Sequence, residues 1–136
     1  MKLEHADPSS ADVEFLEDRL YEFNSAATGI DDGEALAVFA RGERGELLAA
    51  AAGHTWGGTC EIRQLWVKDE LRRRGIGSRL LQEAEAEARQ RGCSQLVLNT
   101  HSFQAPEFYE KLGYSRVAEI ADYPHGHAQI LMRKAL

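Results

Sequence analysis

The sequence predicts a mixed α/β fold, with a mostly antiparallel sheet flanked by helices on both faces. Several short segments are apolar and rich in strand-forming residues, and turn residues separate them. Between two of these segments, the spacing of apolar residues changes to a helical period. A strand, helix and strand in this order are joined by a right-handed crossover, which makes the two strands parallel within the otherwise antiparallel sheet.

One helix and three strands are predicted in the N-terminal half of the chain. Capping residues at Pro8-Ser9-Ser10 precede apolar residues at approximately helical spacing, which predicts a helix over residues 9–24. The polar stretch 24–33 is expected to form a loop. Turns at 42–45 and 57–58 then separate three antiparallel neighbours. These predicted strands cover residues 36–40, 47–55 and 59–67.

The C-terminal half begins with a strongly amphipathic helix. Apolar residues recur on one face between Gly75 and Gly92, and oppositely charged residues pair at i,i+4 on the other face. Gly92 ends this helix. A second helix opens at Pro106 and ends at Gly113. The remaining predicted strands cover residues 95–99, 114–120 and 128–132.

Length and composition exclude several classes of protein. A chain of 136 residues, 43% apolar and 28% charged, is expected to form one domain over residues 1–136. Its net charge of −6 argues against nucleic acid or an anionic membrane as a partner. The longest apolar run, Leu47 to Ala52, is too short to span a bilayer, and the charged N-terminus is unlike a signal peptide. A cytoplasmic location is therefore expected.

The cysteines and histidines do not predict a metal site. Cys60 and Cys93 are isolated in the sequence, which favours neither a metal spacing nor a disulfide framework. His125 and His127 have no third ligand nearby. We expect the loop that carries them to line a substrate pocket, and we predict no metal.

One segment concentrates residues that are suited to binding an anion. Residues 72–78 read Arg-Arg-Arg-Gly-Ile-Gly-Ser and lie between the third strand and the long helix. Glycines permit a tight turn and close approach of the backbone, and the N–H groups of a first helical turn favour phosphate. The alternative is a solvated, arginine-rich helix entry. No lysine follows Gly77 as in a P-loop, and Leu80 and Asn99 stand where a dinucleotide-binding motif has glycine and an acidic residue.

The same segment resembles the GNAT superfamily of acyl-CoA-dependent N-acyltransferases. The matching pattern is Val67-x4-Arg72-x2-Gly75-x-Gly77-x2-Leu80-Leu81, followed later by Phe108-Tyr109-Glu110-Lys111-Leu112-Gly113-Tyr114. By order of elements, the resemblance covers residues 34–134. It implies a GNAT-like domain with a mixed sheet of six to seven strands, acetyl-CoA (coenzyme A) as the donor and an amine as the acceptor.

The resemblance also implies which residues bind the cofactor. The family's loop wraps the pyrophosphate of coenzyme A, which assigns that role to Arg72, Arg73, Arg74, Gly75, Ile76, Gly77 and Ser78. Main-chain groups of the preceding strand, at Leu65, Trp66 and Val67, would contact the pantetheine arm and the thioester carbonyl. Where the family often has asparagine, this chain has Ser102, and Gln104 or Asn99 would supply the missing amide.

Two side chains are candidates for the chemistry. Tyr109 matches the tyrosine that the family uses near the departing sulfur, where a phenol of pKa ~10 offers a hydrogen bond rather than full proton transfer. Its alternative role is in the apolar face of its helix. Glu61 is predicted on the same strand face as Leu65 and Val67, where it would take a proton from an ammonium acceptor. Its alternative is an ion pair with Arg63.

The predicted function is transfer of an acetyl group from acetyl-CoA to a primary amine of a small molecule or a protein. Direct attack in a ternary complex is expected, because neither cysteine has the sequence pattern of a nucleophile. The alternatives are a catalytically silent acyl-CoA-binding regulatory module and a nucleotide-binding protein. No residue identifies the acceptor. Homodimers are common in the superfamily, so the resemblance also implies a homodimer.

Overall fold

Six strands form one mixed sheet within residues 32–136. The computed structural model describes all residues, 1–136, as two units that cover residues 1–31 and 32–136. In chain order, the strands are β1 (Glu34–Arg41), β2 (Leu47–Trp56), β3 (Thr59–Val67), β4 (Gln95–His101), β5 (Ser115–Ala121) and β6 (Ala128–Ala135). Their order in the sheet is β1-β2-β3-β4-β6-β5. The pair β3–β4 is parallel and every other pair is antiparallel, which confirms the predicted mixed sheet.

The two helices of the sheet-containing unit pack on the same face of the sheet. These helices are α2 (Ile76–Gln90) and α3 (Pro106–Lys111), and a short 3-10 turn, Asp69–Leu71, precedes α2. Leu81 of α2 and Tyr109 of α3 belong to one buried cluster with Leu96 of β4 and Met132 of β6. This shared core holds the first turn of α2 close to the end of β3, where the candidate site lies.

The N-terminal unit contains one helix, α1 (Ala11–Thr28), which is longer than the sequence predicted. The expected loop over residues 24–33 is wrong for residues 24–28, because the polar stretch contains the helix formers Ala26 and Ala27 and no helix breaker before Gly29. Gly29, at φ +74°, ends α1 and donates its N–H to the Ser25 carbonyl. None of the helices combines the length and apolar character needed to cross a membrane.

A buried charged group joins α2 to the C-terminal strands. Glu85 of α2 is only 4% exposed. Its carboxylate accepts hydrogen bonds from the Tyr114 hydroxyl at 2.9 Å and from Lys134 Nζ at 3.1 Å. Burial and the Glu85 carboxylate both raise the pKa of Tyr114, so its hydroxyl stays protonated as the donor. The three side chains therefore fix α2 against β6 and the start of β5.

Candidate active site

Strands β3 and β4 separate partway along their length, and their separation opens a cleft. They pair in parallel only as far as Ile62 and Leu98. The next residue of β3, Arg63, is skipped in the register with β2, which marks a bulge. Beyond this bulge, β3 continues to pair with β2 but has no partner on its other side. The resulting cleft has a volume of about 1210 Å³.

The open edge of β3 presents main-chain groups to this cleft. Leu65, Trp66 and Val67 all line the cleft, and their strand partners are on β2 alone. Main-chain groups that lack a strand partner need another hydrogen-bonding partner, such as water or a ligand. The structure therefore brings these three predicted residues to the cleft in the expected manner.

The bulge changes the predicted orientation of Glu61. The prediction that Glu61 shares a strand face with Leu65 is wrong, because Leu65 packs against the same buried cluster as Ile62. Arg63 is the extra residue, so the alternation shifts by one position and Glu61 lies on the face of Trp66 instead. A sequence pattern that assumes strict alternation does not account for such a bulge.

The Glu61 side chain forms the ion pair that was the alternative interpretation. Its Oε1 lies 3.6 Å from Arg63 Nε, and 41% of the side chain is exposed. Arg63 lines the cleft, whereas Glu61 does not. An exposed pair of this kind contributes little to stability. Glu61 is therefore close to the cleft without a direct contact to it.

The arginine-glycine segment 72–78 forms the end of the cleft where α2 begins. Six of its residues line the cleft, and Arg74 does not; the six are Arg72, Arg73, Gly75, Ile76, Gly77 and Ser78. Gly75 is the N-cap of α2 and no side chain caps the helix. The first N–H groups of a helix have no intrahelical acceptor, and they carry the positive end of its dipole. This helix start therefore fits the pyrophosphate of coenzyme A.

Glycine is required at two positions of this segment for different reasons. Gly75 has φ +79°, in the left-handed region that side chains disfavour. Gly77 has no such conformation, but a Cβ there would lie 3.3 Å from Phe108 Cζ of α3. Gly75 thus permits the tight turn that the sequence predicted, and Gly77 permits close packing of α2 against α3.

Arg72 holds the segment against the end of β3. Its Nε donates a hydrogen bond to the Val67 carbonyl at 3.1 Å, and its Nη2 lies 2.9 Å from the Asp69 carboxylate. The neighbouring Arg73 adopts φ +63°, which is uncommon for a residue with a side chain. Arg72 therefore holds the loop in position as well as supplying a positive charge. Arg73 brings to the cleft a guanidinium that forms no ion pair.

Tyr109 lies where the cleft meets the core. It lines the cleft, yet only 9% of the residue is exposed, and its ring contacts Phe108 and Tyr114 edge to face. Burial raises the pKa of Tyr109 above its ordinary value of 10. The phenol is therefore neutral at physiological pH and can donate a hydrogen bond into the cleft. Tyr109 therefore belongs to the buried core and also borders the cleft.

Only some of the predicted cofactor contacts at and after the end of β4 reach the cleft. Gln104 and Asn99 line the cleft, as required of the residues that replace the family's asparagine. Ser102 does not line the cleft, because its hydroxyl accepts the Ala128 N–H at 3.0 Å. Gln104 Oε1 accepts the His101 main-chain N–H at 2.8 Å, which leaves its amide nitrogen for a ligand. Gln104 and Asn99 therefore bring amide groups to the cleft, whereas Ser102 does not reach it.

Four rings form an aromatic cluster, and two of them line the cleft. His101 stacks on Phe103 with a centroid distance of 5.4 Å and on Tyr123 with 5.6 Å, and His127 packs edge to face on Phe103 at 5.0 Å. His101 and Phe103 line the cleft. We refer to His101, Phe103, Tyr123 and His127 as the aromatic cluster.

Several residues that line the cleft were not predicted as site residues from the sequence. They include Thr100, Phe103 and Gln129. Thr100 and Gln129 lie on β4 and β6, which are neighbours in the sheet although far apart in the chain. The parallel register of β3 and β4 would have indicated Thr100, since the C-terminal ends of parallel strands meet at one edge of a sheet.

The mixed sheet, the open edge of β3 and the uncapped helix after an arginine-glycine loop agree with the acetyltransferase fold that the resemblance implies. Residues 2–114 match the acetyltransferase (GNAT) family. Because this match covers most of the chain, the protein belongs to the GNAT family, and the resemblance found in the sequence is confirmed.

Known proteins similar to this chain are acetyltransferases. Blasticidin-S acetyltransferase of Streptomyces morookaense is 43% identical over 104 residues, which cover 76% of this chain and 76% of the relative. The crystal structure of an acetyltransferase from Bacillus cereus is 29% identical, with a TM-score of 0.85 over 100% of this chain and 98% of the other. The PaiA N-acetyltransferase from Thermoplasma acidophilum, solved in complex with coenzyme A, is 21% identical with a TM-score of 0.66 over 88% and 70% of the chains. This last likeness shows the fold alone.

Proposed function

We propose that the chain transfers the acetyl group of acetyl-CoA to a primary amine of a small molecule, in a ternary complex without a covalent acyl-enzyme. One observation carries this proposal: the open edge of β3, the start of α2 and Tyr109 all border a single cleft. The name of the blasticidin-S relative supports a small-molecule acceptor over a protein amine. Blasticidin S is accordingly the first acceptor to test.

The chain offers a donor site that fits coenzyme A. The uncapped first turn of α2 and the Arg73 guanidinium would hold the pyrophosphate, and Gln104 or Asn99 would contact the pantetheine arm. Acetyl-CoA, when bound, supplies a thioester whose acyl carbon gains a C–N bond as its C–S bond breaks. The main chain of residues 65–67 would donate a hydrogen bond to the carbonyl oxygen, where negative charge develops.

Tyr109 is proposed to assist the departing sulfur. Its raised pKa keeps the hydroxyl protonated, and the ring contacts with Phe108 and Tyr114 fix its direction. A phenol is a weaker acid than a thiol, so its contribution is a hydrogen bond to the thiolate rather than complete proton transfer. Tyr109 therefore acts as a catalytic residue by contact with the leaving group.

Glu61 is proposed to remove a proton from the acceptor through water. An amine is mostly protonated at neutral pH and attacks only as the free base. Glu61 lies on the strand face of Trp66, which lines the cleft, but does not line it itself. One or more water molecules must therefore connect its carboxylate to the bound amine.

Substitution of the two proposed catalytic residues tests the function. Release of coenzyme A would be measured with blasticidin S and a panel of primary amines. We expect Tyr109→Phe to lower kcat about a hundredfold, and Glu61→Gln to lower it chiefly at low pH, where the acceptor is fully protonated. Calorimetry should show unchanged affinity for coenzyme A in both variants.

A regulatory module would give a different result in the same experiment. It would bind acetyl-CoA but release no thiol with any amine, and the two substitutions would have no effect. Thermal protection by ATP or NAD that exceeds protection by coenzyme A would instead favour a nucleotide-binding protein.

The chain is further proposed to act in the cytoplasm as a homodimer. The support for a dimer comes from α1, on which Leu16, Leu20 and Phe23 form an apolar row at i, i+4 and i+7. Burial of each such side chain would contribute about 1.5–3 kcal/mol to association. A second copy of the chain would provide the surface that buries it. Sedimentation velocity should show a dimer that Leu20→Glu dissociates; a monomer at micromolar concentration would contradict this proposal.

A further inference from the structure

The aromatic cluster lies on the same cleft as the proposed chemistry but has no part in it. Its members come from two stretches of the chain: His101 ends β4 and Phe103 directly follows the strand, and Tyr123 and His127 belong to the β5–β6 loop. His101 and Phe103 share the cleft with Tyr109 and Trp66. The cluster therefore borders the cleft in which the proposed acetyl transfer takes place.

Hydrogen bonds hold these rings in place before any ligand binds. Gln104 Oε1 accepts from the His101 main chain at 2.8 Å and lies 3.1 Å from His101 Nδ1. In the β5–β6 loop, Tyr123 donates its N–H to the His127 carbonyl at 3.2 Å, and Gly126 donates to the Asp122 carboxylate at 3.0 Å. A positioned ring binds a ligand without paying the entropy of ordering a mobile side chain.

The rings remain accessible although they are packed against one another. Phe103 is 56% exposed and Tyr123 is 51% exposed, whereas aromatic residues that serve only the core, such as Tyr114 at 3%, are buried. Phe103 stacks on His101 at an interplanar angle of 17° and meets His127 at 71°, and Tyr123 stacks on His101 at 29°. Aromatic rings prefer further rings as partners, either in offset stacks or edge to face.

We propose that the aromatic cluster is the acceptor subsite and that it selects a primary amine carried on a planar aromatic or heteroaromatic ring. The ring of the acceptor packs against the exposed surface of Phe103, and its amine extends toward Trp66 and Tyr109. This inference rests on the proposed acetyl transfer, which would make the bound amine a substrate. Selection of the ring itself requires only binding. Gln64 and Gln129, which also line the cleft, provide neutral hydrogen-bonding groups around such a ring.

Two amines that share a carbon skeleton test the subsite. Benzylamine has a flat ring and cyclohexylmethylamine a puckered one, and the affinity of each for the coenzyme A-loaded chain would be measured by calorimetry. We expect benzylamine to bind about tenfold more tightly, the ratio that one stacked aromatic pair supplies. Phe103→Leu should reduce this ratio to about one, and Phe103→Tyr should retain it.

Phe39→Leu is the matched control, because Phe39 is 54% exposed on β1 and does not line the cleft. It should leave the ratio unchanged. Equal affinity of the two amines for the unmodified chain, or a ratio that Phe103→Leu does not alter, would overturn the inference. Tyr123→Leu provides a second variant and should lower the ratio in the same direction.

The experiment separates this inference from the proposed function. Ring-selective binding without release of coenzyme A from acetyl-CoA would refute acetyl transfer and leave the subsite established. Acetylation of both amines with equal efficiency would support acetyl transfer and refute the subsite.

Discussion

Two regions of the cleft are built from different kinds of chemical group. The proposed donor end, residues 72–78, offers main-chain N–H groups, two glycines and an arginine that lies free of ion pairs. The proposed acceptor end, the aromatic cluster, consists of side-chain rings from two stretches of the chain. One continuous segment forms the donor end. Its residues can therefore stay suited to one cosubstrate while the residues of the acceptor end vary. This difference explains why the sequence identified a donor but no acceptor.

The largest expected effect comes from removing the buried carboxylate that joins α2 to the C-terminal strands. Glu85→Ala would leave Lys134 and the Tyr114 hydroxyl without their buried acceptor. Breaking a buried charged pair costs about 3 kcal/mol of unfolding free energy, which urea denaturation would measure. Glu83→Ala, on the exposed side of α2, is the control and should change stability by less than about 0.5 kcal/mol. Similar losses in both variants would show that the Glu85 contacts contribute little.

A smaller effect is expected when the charge of the donor end is reduced. Arg73→Ala should weaken coenzyme A binding about tenfold and flatten its dependence on salt, because a charge-assisted contact to phosphate is lost. Arg74→Ala is the matched control, since Arg74 does not line the cleft. Calorimetry at two salt concentrations would measure both. Equal losses would mean that the loop acts through its general positive field rather than through one placed guanidinium.

Arg72→Ala should combine the loss of charge with a loss of position, because it also removes the hydrogen bond to the Val67 carbonyl and the ion pair with Asp69. Arg72→Lys should restore part of the affinity for coenzyme A but not the bond that the guanidinium Nε makes.

The smallest effect concerns how stability depends on pH through the buried thiol of Cys60. Burial raises the pKa of Cys60 from 9.0 to about 11. The folded chain thus holds this proton more tightly than the unfolded chain, so the contribution to stability is fully present below pH 9 and is lost as pH rises through 11. Urea denaturation at pH 8 and pH 10.5 should show a smaller loss in Cys60→Ala than in the unmodified chain. That variant should also retain acetyl transfer, since no acyl-cysteine is proposed.

Much of the fold could be predicted from local patterns. The bounds of β3 match the predicted strand 59–67, and the glycines at 75 and 92 bracket α2 as expected. These elements depend on hydrophobic period and turn residues, which are local properties. The end of α1 was missed because polar residues alone do not end a helix; it continues until Gly29 provides a left-handed residue.

The candidate site was predictable where it is made of contiguous backbone. Six of the seven residues from 72 to 78 line the cleft, and Arg74 is the exception. The turn at Gly75 and the start of α2 set the places of these residues. Glu61 and Ser102 were placed by spacing alone. The bulge at Arg63 and the hydrogen bond from Ala128 to Ser102 then directed both side chains away from the cleft.

The sequence by itself determined the order of the elements and the family. It also determined that a helix begins directly after the arginine-glycine loop. Only the tertiary structure decided where β3 leaves β4, and which rings from β4 and the β5–β6 loop meet across the cleft. The reason is physical: turns and helix starts depend on residues that are neighbours in the chain. A bulge or a stack of rings depends instead on packing between segments that the chain order keeps apart.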